Sequence, residues 1–245
     1  DIFLPKLSIP LPASTILCIE FAMPDALFLC FAQANDRAAA TTKKLQKQIV
    51  FAEYFKTLSD DDLRLAVRFA AGRPFPATSE STLHVGSAIL SHVLLSLLKI
   101  DHNSLHPSPL HTGDLPESLS ELWPFHSTAS LLTLQDLSFA FDNLAAAADA
   151  ARKREILHDL FSRCHHPREA AYLTKILFHD MRTGIQEGLL QSAIAQAFEQ
   201  ELYQIHQTQL LLGDIEEVAL LAKHNALCSA SFKLFHPIQF MLATP

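Results

Sequence analysis

At 245 residues, with 49% hydrophobic and 18% charged side chains, the chain is long enough for one large domain or two small ones, each with a core. Six glycines against an Ala- and Leu-rich background favour helices over strands, so the expected fold class is all-α. The net charge of −7 disfavours a nucleic-acid partner only if it is evenly spread, yet residues 36–73 and 150–186 each carry +3 while 74–149 carry −7. A polyanion responds to that local field, not to the total. The four scattered cysteines form no CxxC pair and fit a reducing compartment better than a disulfide framework.

In chain order, residues 1–22 are rich in Pro and Ile, lack an initial Met and precede Met23-Pro24-Asp25. They read as an upstream segment outside the domain, with Met23 as the start. The apolar run from Ile16 to Phe31 is broken by Glu20, Pro24 and Asp25, which argues against a membrane span. Lys6 alone is too little for the basic region of a signal peptide. Helical periodicity becomes clear from Lys43, with Leu45, Ile49, Ala52 and Phe55 at three- and four-residue spacing. Ser59 before Asp60-Asp61-Asp62 is a helix start with its cap and first-turn acids, and Gly72-Arg73-Pro74 ends that helix. A glycine-led apolar helix follows at Gly86-Ser87-Ala88-Ile89-Leu90, then an irregular, Pro- and His-rich connector over residues 101–130.

The plan then repeats. Arg152-Lys153-Arg154 opens a helix carrying Ile156, Leu157, Leu160 and Phe161, and His166-Pro167-Arg168-Glu169 starts the next, with Pro suited to a first turn. Gly188-Leu189-Leu190 answers the segment at Gly86, and Gly213-Asp214-Ile215 answers Gly113-Asp114-Leu115 one hundred positions earlier. Matched landmarks in matched order predict one multi-helix domain over 23–233, built from two similar halves (about 36–122 and 131–230) around a pseudo-twofold axis. Trp123, Phe139, Phe141, Phe178 and Phe198 are expected in its core.

Five segments in order carry a family resemblance. They are Ala40-Thr41-Thr42-Lys43-Lys44 leading into Phe51-Ala52-Glu53-Tyr54-Phe55; Leu83-His84-Val85-Gly86; Gly113-Asp114-Leu115; Met181-Arg182-Thr183-Gly184-Ile185-Gln186-Glu187; and Leu234-Phe235-His236-Pro237-Ile238-Gln239-Phe240-Met241-Leu242-Ala243. Together they resemble the N-terminal DNA-binding region of ATP-dependent DNA ligases, from about Pro24 onward. Pro116 and Phe240 depart from the family's usual residues, which puts local turn geometry in question rather than membership. The resemblance implies that 234–245 is a linker toward an adenylation domain, with an OB-fold domain beyond it in the same chain. It further implies nicked double-stranded DNA as partner, a role in replication, repair or recombination, and a cytoplasmic, nucleoid-associated prokaryotic protein. ATP and Mg would serve the full-length parent, with no cofactor in this part.

The residues fit binding better than catalysis. None of the ten lysines lies in a K-x-D-G motif; the nearest, Lys99-Ile100-Asp101-His102, reads as a helix terminus. Walker, GxSxG and HExxH patterns are absent from the sequence, so no catalytic residue is assigned and the chain alone is expected to be inactive. His102, His106 and His111 lie among prolines without Cys or carboxylate at ligand spacing, and no metal site is assigned. His165-His166 reads as a helix entrance. Arg182-Thr183-Gly184 joins two helices where free amides and a guanidinium favour phosphate. The clusters Thr42-Lys43-Lys44 and Arg152-Lys153 sit at helix starts, where cations oppose the dipole and a phosphate neighbour would account for them. With Gly86, Lys175 and Gln186 they make up the expected DNA-binding set, which would grip the duplex on both sides of a minor groove without reading sequence. The competing readings are a non-catalytic helical protein-interaction module and, further off, a metal-dependent hydrolase.

Overall fold

A computed structural model describes residues 26–100, 115–126 and 128–231. Among the described residues the regular elements are eleven α-helices and one short 3₁₀ turn, Leu227–Ser229, with no strand. In chain order the helices are α1 (Phe28–Ala39), α2 (Lys44–Lys56), α3 (Asp60–Ala70), α4 (Ser87–Leu98), α5 (Leu115–Leu122) and α6 (Leu134–Ala146). Then come α7 (Ala150–Ser162), α8 (Pro167–Leu177), α9 (Glu187–Ala197), α10 (Leu202–Leu212) and α11 (Ile215–Lys223). The all-α expectation holds. The segment 1–22, the histidines of 102–111, the Gly113-Asp114 pair and the linker-like run 234–245 lie outside the described residues.

Local chemistry explains most helix boundaries. The Ser59 hydroxyl caps α3 by accepting from the Asp62 amide at 3.2 Å. Thr133 and Asp136 form a reciprocal capping box on α6, and Asp149 caps α7. His166 is the cap of α8, with Pro167 in the first turn as expected and Glu169 closing a capping box. Gly213 ends α10 at φ 69°, and Lys99 ends α4 at φ 54°. Pro116, at the second position of α5, suits a first helical turn.

Helix packing occurs in matched pairs. The contacts α1–α2, α1–α8, α2–α9 and α3–α11 are answered by α6–α7, α6–α3, α7–α4 and α8–α5. Each second set follows from the first by exchanging α1 with α6, α2 with α7, α3 with α8, α4 with α9 and α5 with α11. Left-handed residues recur at matched places too: Gly72 and His179, His84 and Gly184, Lys99 and Glu199. Where the halves meet, Leu27 bridges Thr133. The Phe28 amide donates to the Leu132 carbonyl at 2.8 Å, and the Leu134 amide returns a bond to Ala26 at 3.1 Å. This exchange pattern is what a twofold relation between halves would produce. The helices that carry it begin at Phe28 and Leu134.

The core joins both sets, with Phe28, Phe31, Phe51, Phe55, Phe69, Phe141 and Phe161 fully enclosed. Two residues expected inside, Phe139 and Phe178, lie elsewhere, as does part of the periodic apolar row of α2. Leu45 and Ile49 are 72% and 43% exposed, because α2 turns Phe51, Tyr54 and Phe55 inward and the buried position on its first turns is taken by Lys47. Phe139 is 70% exposed, since α6 buries Leu134, Leu137, Phe141 and Leu144 and a residue two places from Phe141 falls on the opposite side of a 3.6-residue turn. Phe178, just past the end of α8, is also exposed. Trp123 and Phe141 are buried and Phe198 packs partly against the core, as expected. No described helix is long and apolar enough to cross a membrane.

Candidate nucleic-acid interface

Beyond the left-handed His179, the turn between α8 and α9 is shaped by two more left-handed residues, Arg182 at φ 49° and Gly184 at φ 64°. Between them Thr183 is buried, and its carbonyl accepts a hydrogen bond from the ammonium of Lys47 on α2. A Cβ on Gly184 would meet that ammonium at 3.0 Å, so glycine serves both the backbone angle and the close approach. The chain then enters α9 through Gln186, in extended conformation and without a side-chain cap. The opening amides of α9 therefore keep donors and the positive end of the helix dipole available. Beside them runs an open groove of about 460 Å³ lined by Lys44, Gln48, Gly184, Gln186, Gly188 and Ser192. The Gln48 amide donates to the Ser192 carbonyl at 3.2 Å and ties α2 to α9 along it.

A related turn precedes α4. Leu83 is buried, His84 is left-handed at φ 48°, and Gly86 enters α4 in extended conformation without a side-chain cap. Lys153 on α7 reaches across and donates to the Leu83 carbonyl at 2.9 Å and to the His84 carbonyl at 3.4 Å. An added Cβ at Gly86 or Gly188 would touch nothing within 4 Å, so the fold itself leaves those positions open. Chemically, each turn presents uncapped helix-start amides, with Lys153 at the turn before α4 and Lys44 and Lys47 at the turn before α9. That arrangement suits an anion held by backbone donors.

A family model described as DNA ligase N terminus matches residues 27–227, most of the chain. The chain belongs to the DNA ligase N-terminus family. It is 35% identical over 215 residues to a probable DNA ligase of Koribacter versatilis, covering 87% of this chain and 37% of that protein. It is 30% identical to a probable DNA ligase of Opitutus terrae, covering 91% and 25%, and 30% identical to a DNA ligase of Methanoculleus marisnigri, covering 88% and 41%. The chain thus spans between a quarter and about two fifths of these relatives.

Within this ligase N-terminal fold the expected binding residues are distributed unevenly. Lys44, Gly184 and Gln186, distant in sequence, line one groove. Thr42 and Lys43 are exposed just ahead of it, Lys43 being the uncapped entry to α2. Arg182 is half-exposed, with its Nε on Asp180 at 2.8 Å. Arg152 is exposed on the first turn of α7 and pairs with Glu155 at 2.9 Å. Lys153 and Thr183 are buried, so both shape the turns from inside rather than offering a side chain to solvent. Lys175 lies apart on α8, its ammonium 4.3 Å from the centre of the Tyr172 ring. Burial pulls its pKa down, against the nearby acids Asp36, Glu117 and Asp180. Lys47, Gln48, Gly188 and Ser192 were not legible as site residues. The only available signal for Lys47 is its place in the repeat, four residues before Phe51 as Lys153 stands four before Leu157. Among the described residues no group of three or more His, Cys, Asp or Glu can hold a metal ion.

Proposed function

We propose that this chain is the sequence-independent duplex-DNA-binding portion of an ATP-dependent DNA ligase. It would hold nicked DNA through phosphate and minor-groove contacts, with the two halves, related by a pseudo-twofold axis, addressing the duplex on either side. The observation that carries the reading is the pair of related turns, each entering an uncapped helix, the one before α9 lining an open groove beside Lys44. Membership in the DNA ligase N-terminus family supports it. The set we assign to DNA is Thr42, Lys43, Lys44, Arg152, Arg182, Gln186 and the backbone at Gly86 and Gly184. In the parent enzyme an adenylation domain and an OB-fold domain would supply the chemistry, with ATP and Mg, in a cytoplasmic setting.

Binding titrations on nicked and intact duplexes at several salt concentrations test this. Each phosphate neutralised contributes a slope of about −0.9 to log K against log salt. Arg182→Ala is expected to weaken binding about equally on unrelated duplexes and to make the slope shallower by roughly one such unit. Sequence-selective loss contradicts backbone recognition. Absence of binding at low salt overturns the reading and leaves the protein-interaction module in its place.

A further inference from the structure

Lys47 and Lys153 are unusual lysines. They are 8% and 6% exposed, and among the described residues neither has an ion-pair partner. Lysine is almost never this buried without a carboxylate, and burying an ammonium costs free energy unless it is well hydrogen-bonded. Here the acceptors are backbone carbonyls: Thr183 for Lys47, and Leu83 with His84 for Lys153. These carbonyls occupy the same position in the two turns, directly before or at the left-handed residue. The connection is crossed. Lys47 rises from α2 in the first half and holds the turn of the second, and Lys153 rises from α7 in the second half and holds the turn of the first.

Peptide planarity gives this grip a consequence. In a trans peptide the C=O and the following N–H point in opposite directions. Drawing the Thr183 carbonyl inward onto Lys47 therefore turns the Gly184 N–H away from the core, on the side where Gly184 lines the groove. Drawing the Leu83 carbonyl onto Lys153 does the same for the N–H of His84. Neither N–H has an acceptor among the described residues. Each extends the row of outward amides that opens α9 or α4, and successive outward amides of this kind form an anion-binding concavity.

We infer that Lys47 and Lys153 are reciprocal positioning residues, each holding the phosphate-facing turn of the opposite half so that its amides point at the DNA backbone. The inference rests on the DNA-binding reading above. It makes each turn dependent on the packing of the other half. It also separates two kinds of lysine in one site: Lys44 lends charge to the polyanion, whereas Lys47 and Lys153 act through the backbone.

The test uses the 245-residue chain with Lys47→Met, Lys153→Met and the milder Lys47→Gln and Lys153→Gln, which keep a donor and guard against loss of the fold. Binding to a nicked duplex is measured across salt concentrations, and backbone amide NMR shifts are compared in the free protein. Each Met variant is expected to weaken binding roughly tenfold, with the Gln variants between it and the parent. The salt slope is expected to stay at the parent value. Lys47 variants should move the backbone amide resonances of 183–186 and leave those of 83–86 in place, and Lys153 variants should do the reverse. A slope shallower by about 0.9 makes the lysine a direct phosphate ligand and overturns the inference. Unchanged affinity in a folded variant overturns it too, as do amide shifts spread evenly over both turns. If the parent chain binds no duplex at low salt, the DNA reading itself fails, and the amide shifts still report whether the crossed grip exists.

Discussion

Gly184 and Gly188 lie four residues apart on opposite sides of the entry to α9, and the same substitution to alanine is expected to move stability in opposite directions. At Gly184 the backbone is left-handed, φ 64°, and an L-residue there costs about 1–2 kcal/mol. The added Cβ also crowds the Lys47 ammonium at 3.0 Å, a contact that a flexible side-chain end relieves by shifting. Reduced freedom of the unfolded chain returns about 0.4–1 kcal/mol, which leaves Gly184→Ala less stable by about 1 kcal/mol. For a domain of this size that lowers Tm by about 2–4 °C. At Gly188 the residue is already in the first turn of α9, its Cβ meets nothing within 4 Å, and only the gain remains. Gly188→Ala is therefore expected to raise stability by up to about 1 kcal/mol. Both positions line the groove, so both variants are expected to bind duplex more weakly. Loss of one hydrogen bond to a charged group costs about 1.5–3 kcal/mol, roughly tenfold or more in Kd. Thermal melts and fluorescence titrations on the two variants read both quantities. A Gly184→Ala protein as stable as its parent refutes the argument from the left-handed turn. A Gly188→Ala protein that binds DNA as tightly as its parent refutes the assignment of this groove to the phosphate backbone.

Three other outcomes follow from particular contacts. Arg68 forks onto Glu216, Nε to Oε1 at 2.7 Å and the second amino group to Oε2 at 2.5 Å, with Glu216 only 3% exposed. Arg68→Met leaves a buried carboxylate whose burial already raises its pKa, and about 3 kcal/mol of stability is expected to go in urea denaturation, recovered in part by Glu216→Gln. His166 caps α8 by accepting from the Arg168 amide at Nδ1, 3.1 Å away, which needs a neutral ring. Burial, with the Arg168 charge beside it, lowers its pKa. The folded state thus binds the proton less readily than the unfolded one. The cap's contribution is whole above the ordinary histidine value of about 6.5 and is lost as pH falls through the depressed folded value. His166→Asn keeps a cap and is expected to flatten that part of the pH–stability curve, as melts between neutral and mildly acidic pH would show; an unchanged curve would count against the cap. Asp60 receives both Lys223 at 2.7 Å and His224 at 2.6 Å, bonds that lower its pKa. Its contribution is present above the ordinary Asp range and lost as pH falls through the lowered value, so Asp60→Asn should melt lower than the parent at neutral pH and converge with it in acid.

Some of this protein is written plainly along the chain. Helix starts at Ser59 and at His166-Pro167 are local chemistry, decided by side chains within three residues of the backbone they cap. The duplicated order of landmarks and the two basic blocks are likewise visible in one dimension, and so is the family resemblance. Which face of a helix turns inward is not local. The apolar row Leu45–Ile49 suggests a buried stripe on α2, yet the packing of α1 and α9 on that helix encloses Lys47 and Phe51 and leaves the row outside. The same holds for Phe139, whose neighbour Phe141 takes the core position. The crossed pairing of Lys47 with Thr183 and of Lys153 with Leu83 spans 136 and 70 residues of sequence. Spacing along the chain contains no trace of such a contact, because a lysine at a helix start reads as solvated until something folds over it. Sequence alone therefore determined that this is an all-helical member of the DNA ligase N-terminus family with basic helix starts. Only the tertiary structure decided which of those lysines meet solvent and which hold a turn far along the chain, because burial is set by the partner helix and not by the residue.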